Sequence, residues 1–163
     1  MSLRVHLRGA VVSDGLRPAG VKRFVRSVLR GEDVVDGGVT VVLTDDTRMR
    51  ALNSRFRDRD IATDVLAFPF HDDPDHPEEL EDDAGAYLGD VVVSLERARE
   101  QAPRFHNDPE TELARLLAHG LLHLLGYDHH HPHDGRRMKA AERRALAGFL
   151  PGTLWEPPGP TAV

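Results

Sequence analysis

At 163 residues the chain fits one domain, and its 40% hydrophobic and 29% charged residues are ordinary for a globular protein. It has no cysteine, which excludes a disulfide framework and any thiolate metal site. The net charge of −6 does not exclude a polyanionic partner: eight acidic residues fall between His71 and Ala84, and the rest of the chain carries +2.

Leu3 to Leu7 alternates apolar with polar residues and reads as a short strand. Arg4, His6 and Arg8 precede any apolar run, so the N-terminus does not read as a signal peptide and a cytoplasmic protein is expected. Apolar residues at 21, 24, 25, 28 and 29 form the stripe of an amphipathic helix, with Pro18 near its first turn and Gly31 at its end. VTVVL (Val39 to Leu43) is a buried strand by its β-branched run. Thr44 or Asp45 then caps a helix reaching about Asn53. Val65 to Phe70 and Leu88 to Val93 read as an antiparallel pair across the acidic loop. Ser94 caps a helix to about Ala102.

Asp108-Pro109 is a strong helix start, with Glu110 and Glu112 suited to the dipole of the first turn. The helix that follows carries leucines at 113, 116, 117, 121, 122, 124 and 125, too many for one stripe. It is expected to be central and buried, yet no membrane span, since its apolar stretch is short and holds two histidines. A last helix runs from about Gly135 to Leu150, with Met138, Ala141, Ala145, Phe149 and Leu150 inward. The order predicts an α+β domain over residues 1–150: a mixed sheet of about four strands with helices packed on it. Residues 151–163, rich in Pro and Gly, are expected to form a flexible tail.

The chemistry concentrates at the end of the long helix. His119 and His123 are four apart, so their side chains share one face, one turn apart, as two ligands of one ion require. Gly126 supplies the left-handed backbone that ends the helix, and His129 follows three residues later. Three neutral imidazoles hold a borderline metal such as Zn²⁺ and leave a fourth position open, the mark of a catalytic site. His129 is preferred as third ligand because it lies nearest the turn, with His130, His131 and His133 as alternatives that spacing alone does not reject. The residue after His119 is Gly120, where a zincin protease has its general base, so peptide hydrolysis by that route is disfavoured. Arg48, Arg50, Arg55, Arg57 and Arg59 form a second group, able to bind phosphate or simply to solvate a loop.

These residues resemble a known family. HGLLHLLGYDH (His119 to His129) is closely similar to the signature of the YbeY family of rRNA maturation endoribonucleases. LNSRFRDRDIATDVLAFPF (Leu52 to Phe70), LGDVVVS (Leu88 to Ser94) and Met138-x3-Glu142 follow the family pattern in order. The resemblance covers roughly Val39 to Leu150. It implies a metal-dependent, single-strand-specific endoribonuclease that matures ribosomal RNA, notably the small-subunit 3′ end, and acts in ribosome quality control. It also implies one zinc ion, or another divalent transition metal, at His119, His123 and His129. Arg57 and His119 are its expected catalytic residues, Arg57 holding the scissile phosphate, and the ribosome or its proteins are expected partners. Asp90, which matches the pattern, is expected to act structurally through hydrogen bonds, Asp128 to orient a ligand histidine, and Thr63 to serve a turn. Two other readings are a non-catalytic zinc-containing ribosome-associated RNA-binding factor, and a metal hydrolase of another substrate.

Overall fold

Asp45, Ser94 and Asp108 each accept a hydrogen bond from a backbone N–H in the first turn of a helix, so three of the expected starts lie where cap chemistry puts them. These and the other elements are seen in a computed structural model that describes residues 3–9, 15–57, 63–70, 87–127 and 132–157, with the backbone alone for 56, 57, 132 and 133. The strands are β1 (Leu3–Arg8), β2 (Gly37–Thr44), β3 (Val65–Pro69) and β4 (Tyr87–Ser94). The helices are α1 (Pro18–Gly31), α2 (Asp46–Arg57), α3 (Leu95–Gln101), α4 (Pro109–Leu124) and α5 (Pro132–Ala147), with a 3-10 turn at Ala102–Phe105. The architecture is α+β, as the order of elements predicts.

The sheet runs β1-β2-β4-β3, with β1 and β4 parallel to β2 and β3 antiparallel to β4. The antiparallel pair is the expected one. The insertion of β4 beside β2 makes it an inner strand, and its apolar run VVV meets that demand. Alternate residues serve opposite faces. Val91 and Val93 join Val39, Val41 and Leu43 in the main core, under α1 and α4. Val92 turns the other way and meets Leu66 and Met49 of α2 in a smaller cluster. Helix α4 touches β3, β4, α1, α3 and α5, and its Leu113, Leu116, Leu117, Leu121 and Leu122 are fully buried, as the crowding of leucines predicts.

Two expectations are corrected. Leu150 is 65% exposed rather than inward, because α5 ends at Ala147 and only Phe149 turns back, its ring set edge-on to Phe24. Residues 151–157 do not fray. Leu154 and Trp155 are buried, and the carboxylate of Glu110 accepts the N–H groups of Gly152, Leu154 and Trp155 at 2.7, 2.9 and 3.0 Å. Composition signals loop, but it does not reveal that a buried acid at a helix start will collect the loop's amides. Residues 158–163 lie outside the described part, as do 71–86 with the acidic run.

Candidate metal centre

Helix α4 delivers its two histidines to the edge of the core. Its C-terminus closes as a Schellman motif: Gly126, at φ 96°, donates to the carbonyl of His123 at 3.1 Å, and Tyr127 donates to that of Leu122 at 3.0 Å. His123 therefore sits in the last turn, where the helix dipole favours a cation. His119 and His123 are both half-buried. Their Nε2 atoms converge to 3.1 Å, with the rings nearly perpendicular at 75°.

The opposite nitrogen of His119 is fixed from α5. Nδ1 of His119 lies 2.7 Å from Oε1 of Glu142. The carboxylate accepts the Nδ1 proton, which leaves the lone pair on Nε2, the atom aimed at His123. This arrangement suits a metal. Two imidazole nitrogens each about 2.0–2.1 Å from a tetrahedral Zn²⁺ stand roughly 3.3 Å apart, close to the separation found. The third expected ligand, His129, lies outside the described residues, as do Asp128, His130 and His131 and the side chain of His133. Among the described residues no three His, Asp or Glu side chains gather as a complete metal site.

Gly120 explains itself through packing. A Cβ there would stand 2.6 Å from Cγ1 of Val91 and 3.1 Å from Cγ2 of Val65, so the helix rests its backbone directly on β4 and β3. A zincin-type glutamate has no room at this position. Gly120→Glu is expected to destabilise the fold by at least about 3 kcal/mol, because it overpacks the contact and buries a carboxylate without a partner. Thermal melting against the parent chain checks this.

Two turns before His119 lies a buried acid that sequence reasoning assigned only to the helix dipole. Glu112 is fully buried. It receives Nε and Nη2 of Arg115 at 2.8 and 2.6 Å, Nε2 of Gln101 at 2.6 Å and Nδ2 of Asn107 at 3.1 Å. Burial pushes its carboxyl up, but the donated bonds from Arg115, Gln101 and Asn107 outweigh that and hold it below its ordinary value of 4.5. The hydrogen bond from Arg115 to Glu112 likewise raises the guanidinium's pKa. Gln101 also donates to Oδ2 of Asp64 at 3.1 Å, which ties the start of β3, and so the chain's return from α2, to α3 and α4.

Arg57 ends α2, and its side chain lies outside the described part. Arg48, Arg50 and Arg55 are exposed along α2, which packs on the sheet face opposite α4, so they are not brought to the histidines. Arg59 is outside the described residues. Asp90 has the structural role expected: it accepts the hydroxyl of Tyr87, which also bonds Oγ1 of Thr40 at 2.7 Å. Burial, with the Asp90 carboxylate second, pushes the Tyr87 phenol far above its ordinary 10.0. Glu142, Glu112 and Arg115 are the residues that sequence reasoning missed as parts of the site. Met138-x3-Glu142 signalled the first, and the four-residue spacing of Arg115 from His119 signalled the last.

A sequence model described as Endoribonuclease YbeY matches residues 17–149. The chain belongs to the YbeY family. It is 39% identical over 133 residues to the Endoribonuclease YbeY of Thermoanaerobacter pseudethanolicus, covering 78% of this chain and 84% of that one. It is 44% identical over 123 residues to that of Anaeromyxobacter dehalogenans, covering 74% of this chain and 60% of the relative. A Myxococcus xanthus relative is 46% identical over 108 residues, 66% of this chain and 35% of its own length. The chain thus spans less than two thirds of the length of each of these last two YbeY proteins. The solution structure of a Thermotoga maritima protein, 24% identical, superposes with a TM-score of 0.55 over 92% of this chain and 98% of that one, and shares the fold. No helix among the described residues is long and apolar enough to cross a membrane.

Proposed function

We propose that the chain is a metal-dependent endoribonuclease acting on single-stranded RNA, with one Zn²⁺ held by His119, His123 and His129. The observation that carries this reading is the pair of Nε2 atoms converging to 3.1 Å, with Nδ1 of His119 already occupied by Glu142. Membership of the Endoribonuclease YbeY family supplies the substrate class. When bound, such an ion polarises a phosphoryl oxygen and lowers the pKa of coordinated water. The protein's own residues orient and stabilise. Glu142 holds His119 in one tautomer and one ring orientation. Arg57 offers a bidentate, permanently charged donor to the scissile phosphate as its charge develops. The Asp64–Gln101–Glu112 link fixes the point at which the segment after Arg57 rejoins the sheet. The finer assignment is maturation of ribosomal RNA at the small-subunit 3′ end and ribosome quality control, in the cytoplasm and in contact with the ribosome.

The test is cleavage of one RNA sequence as a single strand and annealed to its complement, by the parent chain and Arg57→Ala. The single strand is cut, the duplex is spared, and Arg57→Ala falls at least tenfold, about 1.4 kcal/mol of barrier. A parent chain that binds the strand without cutting it points instead to a non-catalytic zinc-containing binding factor. The role of Glu142 has its own consequence. Glu142→Ala is expected to weaken Zn²⁺ binding roughly 10–100-fold, since carboxylates that orient ligand histidines carry effects of that size. Competition with a chromogenic chelator measures it.

A further inference from the structure

The turn that leads into α4 presents an aromatic ring to solvent on one face. Phe105, at the end of the 3-10 turn, is 52% exposed. Its other face is covered: the guanidinium carbon of Arg115 stands 4.6 Å from the ring centroid. Arg115 is one turn of α4, about 6 Å, from His119.

Both halves of this arrangement are fixed by one buried carboxylate. Glu112 takes Nε and Nη2 of Arg115, which leaves the Nη1 edge of the guanidinium without an acceptor among the described residues. Through Asn107 the same carboxylate holds the turn that carries Phe105. His106, in the left-handed conformation at φ 58°, closes that turn by donating to the carbonyl of Pro103 at 3.1 Å, and Asn107 donates to that of Ala102 at 3.0 Å. The turn of Phe105 is thus tied to Glu112, the ring is backed by a cation, and the residue that carries that cation lies one turn of α4 from His119.

We propose that Phe105 and Arg115 form a nucleotide subsite, in which an unpaired base stacks on the free face of Phe105 and the adjoining phosphate meets Nη1 of Arg115. The inference rests on the endoribonuclease reading and adds to it how the strand is gripped. Stacking needs a base with a free face, so this subsite accepts a single strand and refuses a paired one. It reads no sequence, because every base offers a π-face. Arg115, backing the ring, increases the pull on the base and supplies the charge for its phosphate.

The experiment measures binding of a fluorescent, uncleavable 2′-O-methyl oligoadenylate by anisotropy to the parent chain, Phe105→Ala, Phe105→Leu and Phe105→Trp, with melting curves to confirm that all four fold. Base–aromatic stacking sets the expected loss for Phe105→Ala at about tenfold. Phe105→Leu loses a similar factor, because it keeps an apolar surface but no ring, and Phe105→Trp retains parental affinity. A single abasic position moved along the oligonucleotide weakens the parent at one register and leaves Phe105→Ala unaffected there. Equal affinity for the parent, Phe105→Ala and Phe105→Leu overturns the subsite. If the parent cuts single-stranded RNA in the same series, the endoribonuclease reading survives that outcome; a parent that neither binds nor cuts ends both.

Discussion

His123→Ala is expected to lower cleavage of single-stranded RNA by at least about a hundredfold, some 2.7 kcal/mol of barrier, while the metal-free protein melts as the parent does. The reason is positional. His123 lies in the last turn of α4, half-buried, outside the leucine contacts that hold the helix in the core. Its deletion removes one of two nitrogens 3.1 Å apart and leaves the Schellman closure of the backbone in place. His119→Ala is the harsher change, because it also strips Glu142 of its partner across α4 and α5. The pair of variants separates ligation from helix packing: kcat/KM and bound zinc fall in both, and the larger fall in Tm belongs to His119→Ala. Full activity in His123→Ala would show that the histidine pair is not the reacting centre.

The largest effect on stability is expected at Glu112. Glu112→Ala leaves Arg115, Gln101 and Asn107 facing an empty, buried site, and breaking a buried pair in this way costs about 3–5 kcal/mol. For a chain of this length that is a fall in Tm of roughly 10 °C. The loss depends on pH in a stated direction. The folded carboxyl lies below 4.5, the ordinary value. In acid the unfolded chain therefore takes up a proton that the folded chain refuses. The contribution of Glu112 is complete above about 4.5 and disappears as pH falls through the folded value. Melting curves of parent and Glu112→Ala should be far apart near pH 7 and converge as the pH falls through the folded value. A gap that stays constant over that range would mean the ionised carboxylate is not the source of the stability.

What could be read in the sequence, and what could not, follows from the range of the forces involved. Caps and stops are local, so Asp108, Ser94 and Gly126 announced their helices, and β3 and β4 announced their pairing across the acidic loop. The histidine pair was legible because a helix has one period and two polar rings on a leucine-rich face need a reason. The placing of β4 beside β2 was not, since parallel neighbours are far apart in the chain and a run of valines fits any inner strand. Glu112 and Glu110 were both taken as partners of the helix dipole, which is where acids in a first turn belong. That both are buried depended on Arg115 and Asn107 for Glu112, and on the amides of residues 152–155 for Glu110, arriving from elsewhere. Gly120 was read for the base it lacks, and the close passage of α4 over Val91 and Val65 supplies the physical cause.

The most direct measurement strips the protein with a chelator, removes the chelator, and follows cleavage of a single-stranded RNA as Zn²⁺ is returned. If three histidines hold the one ion that the reaction uses, the stripped chain is inactive and a single equivalent of Zn²⁺ restores the parental rate. A stripped chain that cuts at the parental rate, with zinc absent by elemental analysis, would contradict the metal-centred account.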